Sequence, residues 1–123
     1  MYNGVKVLCV DDFATMRRIL KNILKQIGFK DIEEAVDGFT ALDALKKTKF
    51  DLIISDWNMP KMSGLDLLKT VRGMAEYKDT PFIMVTAEAQ KQNVIEAVGA
   101  GVTNYVVKPF TAESIAEKLK KIL

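Results

Sequence analysis

Val5-Lys6-Val7-Leu8-Cys9-Val10-Asp11-Asp12 is an apolar run that stops on two carboxylates. A short Val-rich run of this kind, without clean polar alternation, reads as a strand buried on both faces. Immediately after it the period changes. Met16, Ile19, Leu20, Ile23, Leu24 and Ile27 recur at helical spacing, and Gly28 follows as a stop. The same change of period repeats along the chain. Ile32–Val36 is a weaker strand carrying Glu33 and Glu34, as an edge strand does, and Phe39, Leu42 and Leu45 mark a short helix. Phe50–Ser55 is a strand ending at Asp56, and Ser63-Gly64-Leu65-Asp66 is a cap-like helix start with Leu65, Leu68 and Val71 on its inner face. Pro81–Val85 runs into Thr86, and Val94, Ile95 and Val98 give the next helix, with Ile95 pointing inward. Tyr105-Val106-Val107 ends at Lys108-Pro109, and Thr111 caps a last helix with Ile115, Leu119 and Ile122 inward. Five βα units imply an α/β fold: a doubly wound five-stranded parallel sheet with helices on both faces, because right-handed crossovers place them there.

In a parallel sheet every strand leaves at the same edge, and ligands bind there. The strands of this chain leave at Asp11-Asp12, Asp56, Thr86 and Lys108. Singly, each residue has an ordinary explanation: a helix cap, a turn residue, a capping hydroxyl, a solvated ammonium. Their joint placement at four strand ends asks for chemistry. Three crowded carboxylates repel, and one ammonium does not neutralise them. A hard divalent cation does, and an all-oxygen site with few protein ligands suits Mg²⁺. A carboxylate beside Mg²⁺ and Lys108 is suited to accept a phosphoryl group, with the Thr86 hydroxyl placed to bind a phosphoryl oxygen.

Composition narrows the field further. The chain has 123 residues, 49% of them apolar, which fits one domain with its own core. It has no His and a single Cys, so Ser-His-Asp catalysis, a His general base, a His phosphocarrier and the usual zinc and iron–sulfur sites are excluded. Cys9, inside the apolar run, reads as a buried thiol in a reducing compartment. The net charge of +2 is spread evenly, so no basic stripe for nucleic acid exists. No apolar run reaches the ~20 residues of a membrane span, and no signal peptide is evident, so the expected location is cytoplasmic without membrane insertion.

With these residues in view, the chain resembles the receiver (response-regulator) family over essentially its whole length. The matching pieces are Val10-Asp11-Asp12, Asp56-Trp57-Asn58-Met59-Pro60, Ser63-Gly64, Val85-Thr86-Ala87 and Val107-Lys108-Pro109-Phe110. Its details, among them Asp12-Phe13-Ala14-Thr15-Met16-Arg17-Arg18, are most similar to the single-domain chemotaxis members. The resemblance implies a flavodoxin-like strand order 2-1-3-4-5. It implies one receiver domain over 1–123 with no output domain, acting as a monomer. It assigns Asp56 as phosphoacceptor, and Asp11, Asp12, Asp56 and the backbone carbonyl of Asn58 to Mg²⁺, with Asp11 reaching the metal through water. Lys108 and Thr86 would hold the phosphoryl group, Tyr105 would change rotamer with it, and Lys108-Pro109 would be cis. Asn58 and Glu88 flank the acceptor at positions where the family varies, so the dephosphorylation rate stays open. A partner surface on the fourth helix, fifth strand and fifth helix would include Lys91, Val94, Val98, Tyr105 and Lys118. The ordinary alternatives there are core packing for the apolar members and a solvated face for Lys118, Lys120 and Lys121. The implied partners are a chemotaxis-type His kinase, the flagellar motor switch protein and a phosphatase.

Three other readings compete. One is a phosphorelay intermediate. Another is an Asp-nucleophile phosphatase, which wants a carboxylic acid where Asn58 stands. The third is a flavin carrier on the same architecture, whose phosphate loop would meet repulsion from Asp11-Asp12.

Overall fold

The apolar runs become strands and the helical periods become helices, in strict alternation: β1 (Tyr2–Val10), α1 (Ala14–Ile27), β2 (Phe29–Ala35), α2 (Gly38–Lys47), β3 (Leu52–Asp56), α3 (Gly64–Arg72), β4 (Phe82–Thr86), α4 (Lys91–Gly99), β5 (Asn104–Val107) and α5 (Ala112–Ile122). A 3₁₀ turn, Ala75–Tyr77, lies between α3 and β4. This computed structural model describes residues 2–87 and 91–123, without the side chains of Asn3, Lys91 and Gln92.

All strand pairs are parallel, in the order β2-β1-β3-β4-β5. Every residue of β3 and β4 is buried, as their unbroken apolar runs require of central strands. The apolar side chains divide between two cores, one on each face of the sheet. Leu20 and Leu24 of α1 and Ile115 and Leu119 of α5 close one with Val7, Cys9, Ile54 and Val85. Ala41 and Leu45 of α2 and Leu65, Leu67, Leu68 and Val71 of α3 close the other with Leu8, Val10, Ile53 and Met84. Each fully buried Leu or Ile contributes about 1.5–3 kcal/mol of transfer free energy. Ser63 caps α3 by accepting from the Asp66 N–H, and Thr111 caps α5 reciprocally with Ser114. α1 ends where Gly28 takes a φ of 127°, a conformation that costs a residue without Cβ little.

Several expectations need correction. β1 begins at Tyr2, not Val5, because the Tyr2 ring stacks on Phe29 of β2 at 4.3 Å and the backbone pairs across it. β2 accordingly begins at Phe29 rather than Ile32. Ile95, expected inward, is 54% exposed, and Ile19 (43%) and Phe39 (52%) on the apolar helix faces are also exposed. A helix needs only a stripe of buried positions, here Leu20 and Leu24 in α1 and Ala41 and Leu45 in α2, so flanking apolar residues at the same period stay in water.

Candidate functional site

Register assembles the site. Val10 pairs with Ser55, Asp56 with Val85, and Thr86 with Val107. One step beyond each strand end, Asp11 therefore lies beside Asp56, and Lys108 leaves β5 next to Thr86. The backbone N–H of Lys108 donates to the Thr86 carbonyl at 2.8 Å. Asp11, Asp12 and Asp56 each present a carboxylate oxygen within 4.8 Å of the others. The Lys108 ammonium is 2.8 Å from Asp56 Oδ1 and 3.9 Å from Asp11 Oδ2. Asp11, Asp56 and Thr86 are buried, whereas Asp12 is exposed. Burial above all, with the charges of Asp56 and Asp12 adding to it, lifts the Asp11 carboxyl above the usual range; the Phe13 N–H and Lys108 oppose the rise.

The loop after β3 folds back tightly over the strand end. The Trp57 N–H donates to Val85 O at 2.9 Å, and the Gly64 N–H returns to Trp57 O at 2.8 Å. A Cβ on Gly64 would stand 2.2 Å from the Asp56 carbonyl oxygen, so no side chain fits there. The exposed Asn58 lies in this loop. Between Pro60 and Met62 the chain makes a γ-turn, with Met62 N–H bonded to Pro60 O at 2.7 Å and Lys61 at φ 69°.

Asp11-Asp12 is not a helix cap. The N-cap of α1 is Phe13, which offers no side-chain acceptor, and Asp11 Oδ1 instead accepts from the Phe13 N–H at 2.9 Å. A residue missed in the sequence holds this turn: Arg17 Nη1 donates to the Asp11 carbonyl at 2.7 Å, while its Nε donates to Glu34 Oε1 at 3.1 Å. An Arg one turn into a helix and a Glu on an edge strand were the available signals.

On the far side of β5, Tyr105 is half-buried, and the Lys118 ammonium lies 5.2 Å from its ring centroid and 3.4 Å from Asn104 Oδ1. Val94 is half-buried, Val98 is exposed, and Ile95 and Val107 add to the exposed apolar surface. The Lys91 side chain and Glu88 lie outside the described residues. The Lys108-Pro109 bond is cis.

The donor set suits a hard cation. Three carboxylates against one ammonium leave an excess of two negative charges, and every candidate ligand atom is oxygen. Among the described residues no helix is long and apolar enough to cross a membrane.

Comparison with known proteins agrees. Residues 7–120 match the family described as Response regulator receiver domain. The chain is 56% identical to the chemotaxis protein CheY-3 of Vibrio cholerae over 97% of its own length and 92% of that protein's. It is 54% identical to the chemotaxis protein CheY of Pseudomonas aeruginosa, covering 96% and 95%. The solved structure of Vibrio cholerae CheY4 superposes with a TM-score of 0.91 at 39% identity, covering 97% of this chain and 98% of that one.

Proposed function

The chain belongs to the response regulator receiver family, and from that membership we propose that it is a chemotaxis switch phosphorylated on Asp56. The observation that carries the assignment is the buried Asp56 carboxylate, paired with Lys108 at 2.8 Å beside two further carboxylates. An Asp56 oxygen attacks the phosphorus of a phospho-His on a chemotaxis-type kinase. The P–N bond breaks, an acyl phosphate forms, and the imidazole leaves. Mg²⁺ held by Asp11, Asp12, Asp56 and the Asn58 carbonyl would neutralise charge on the incoming oxygens. Lys108 passes from Asp56 to a phosphoryl oxygen, and the buried Thr86 offers its hydroxyl to another. Positioning and charge cancellation supply most of the catalysis in such a transfer, so the chain promotes its own phosphorylation without a general base.

Output follows through the surface of α4, β5 and α5. Drawing Thr86 toward the phosphoryl group frees space beside β5 for Tyr105, on the adjacent strand. The reshaped face, with Val94, Val98, Lys91 and Lys118, then binds a flagellar motor switch protein more tightly. Couplings of this kind are typically about 1–3 kcal/mol, and they are reciprocal. The chemotaxis names of the relatives support that output, and a phosphatase would reset it. The buried free thiol of Cys9 is consistent with action in the cytoplasm.

Incubation with Mg²⁺ and a phosphoramidate, followed by intact mass, tests the assignment. Wild type should gain one phosphoryl group and Asp56→Asn none, since the change removes the nucleophilic oxygen and little volume. Equal labelling of the variant would place the acceptor elsewhere.

A further inference from the structure

We propose that Arg17 is a positioning residue for the cation site, bracing the loop that supplies two of its three carboxylates; this rests on the reading of Asp11, Asp12 and Asp56 as a divalent-cation site. That loop, Asp11-Asp12-Phe13, starts a helix whose N-cap residue has no side-chain acceptor. An uncapped helix start leaves backbone groups to find other partners. Three bonds through the backbone hold the segment: Asp11 N–H to Ala35 O of β2 at 3.2 Å, Phe13 N–H to Asp11 Oδ1 at 2.9 Å, and the first helical bond, Arg17 N–H to Phe13 O at 3.1 Å. The Arg17 side chain adds a further one, to the Asp11 carbonyl at 2.7 Å. Its side chain is 14% exposed, and its other arm is fixed on Glu34, to which Lys21 also pairs at 3.5 Å.

The guanidinium is a planar fork whose donors keep a fixed mutual geometry. With Nε set by Glu34 of β2 and Nη1 on Asp11 O, it ties the loop to the edge strand through α1. Groups that orient metal ligands commonly matter to affinity nearly as much as the ligands do. Position and charge act in opposite directions here. A cation beside the cluster repels Mg²⁺, so on Coulomb grounds alone removing Arg17 should tighten metal binding. If Arg17 works as a brace, removing it should weaken binding.

The test is a Mg²⁺ titration of the whole chain followed by the fluorescence of Trp57, the single Trp, which adjoins Asp56. Arg17→Met should raise the Mg²⁺ dissociation constant by about tenfold, the lower end for loss of such a supporting contact. Unchanged or tighter binding overturns the proposal. Arg17→Lys keeps the charge and the packing of the stem but not the fork. It should also bind Mg²⁺ several-fold more weakly, and full wild-type affinity in it overturns the proposal even if the Met variant fails to fold. A wild type that shows no Mg²⁺ response by fluorescence or calorimetry would instead overturn the cation site itself.

Discussion

The two edges of this sheet treat their polar groups in opposite ways. Where β4 and β5 begin, the polar groups of Arg72 and Tyr77 are paired within the chain. Arg72, at the end of α3, donates to Gly101 O at 2.9 Å, Tyr77 O at 2.9 Å and Thr80 O at 2.7 Å. The fully buried Tyr77 shares its hydroxyl proton between Leu45 O and Thr48 O, at 2.7 and 2.9 Å, and accepts from the Phe50 N–H at 3.3 Å. Lys49 lies over the Tyr77 ring and donates to the Glu76 carbonyl. Where the strands end, three carboxylates present oxygens within 4.8 Å of one another, and one ammonium, that of Lys108, pairs with two of them. One edge is closed by its own hydrogen bonds. The other carries a net negative charge that Lys108 only partly offsets. The first serves stability and the second, on the function proposed above, serves signalling, and the sheet keeps them a full strand length apart.

The sharpest way to break this contrast is at the closed edge. Arg72→Met removes a charged donor from three carbonyls and loosens the segments leading into β4 and β5 together. Hydrogen bonds to charged groups are worth about 1.5–3 kcal/mol each, and water re-solvates part of what is lost, so about 2–4 kcal/mol is expected. For a domain of this size that lowers Tm by about 10 °C. Calorimetry in metal-free buffer measures it, and a shift below about 2 °C would mean that this edge is not held by Arg72.

Little of that edge could be read in advance, and the reason is physical. The functional edge was legible because parallel strands share a direction, so the residue after each apolar run lands at one place: Asp11, Asp56, Thr86 and Lys108 all did. The partners of Arg72 and Tyr77 are backbone carbonyls, such as Gly101 and Leu45, about thirty positions away in the chain. A carbonyl belongs to every residue and leaves no mark in the sequence. Arg17 was missed for the same cause, since it reads a carbonyl rather than a carboxylate of Asp11. Ile95 was misplaced for another: apolar side chains are common on surfaces, so helical spacing alone does not say which of them the core takes.

At the open edge the same measurement should change sign. In Asp12→Ala the exposed charge that helps lift the Asp11 carboxyl is gone. At this separation each like-charge pair costs about 1 kcal/mol even in a water-like dielectric, against about 0.3–1 kcal/mol that an acidic residue gains near a helix start. Repulsion wins, and the metal-free variant should be more stable by about 1 kcal/mol. Saturating Mg²⁺ should reverse the order. Wild type gains about 2.7 kcal/mol at a hundred times its dissociation constant, and the variant, missing a ligand, gains little. A variant that melts below wild type without metal would show that the cluster is not under charge strain.

The smallest expected effect concerns strain of another kind. Among the described residues, positive φ falls on glycines at Gly4, Gly28 and Gly101, and Lys61 is the exception, at φ 69° in the loop that follows β3. Gly101 sits at the closed edge, against the Arg72 side chain; Lys61 sits at the open one. Holding an L-residue in this strained γ-turn conformation costs at least about 1 kcal/mol relative to glycine. A glycine there also makes the unfolded chain freer, which takes back about 0.4–1 kcal/mol. The ammonium of Lys61 adds a weak attraction to Asp37, but Lys61 is exposed and the half-buried Asp37 is held mainly by the Thr40 N–H, so losing it matters little. The balance favours Lys61→Gly by about 0.5 kcal/mol, a rise in Tm of about 2 °C. Lys61→Asn separates the two contributions, because Asn tolerates positive φ without loosening the unfolded chain as glycine does, and it should gain at least as much. If both variants melt at or below wild type, the turn is not strained, and charge alone distinguishes the open edge from the closed one.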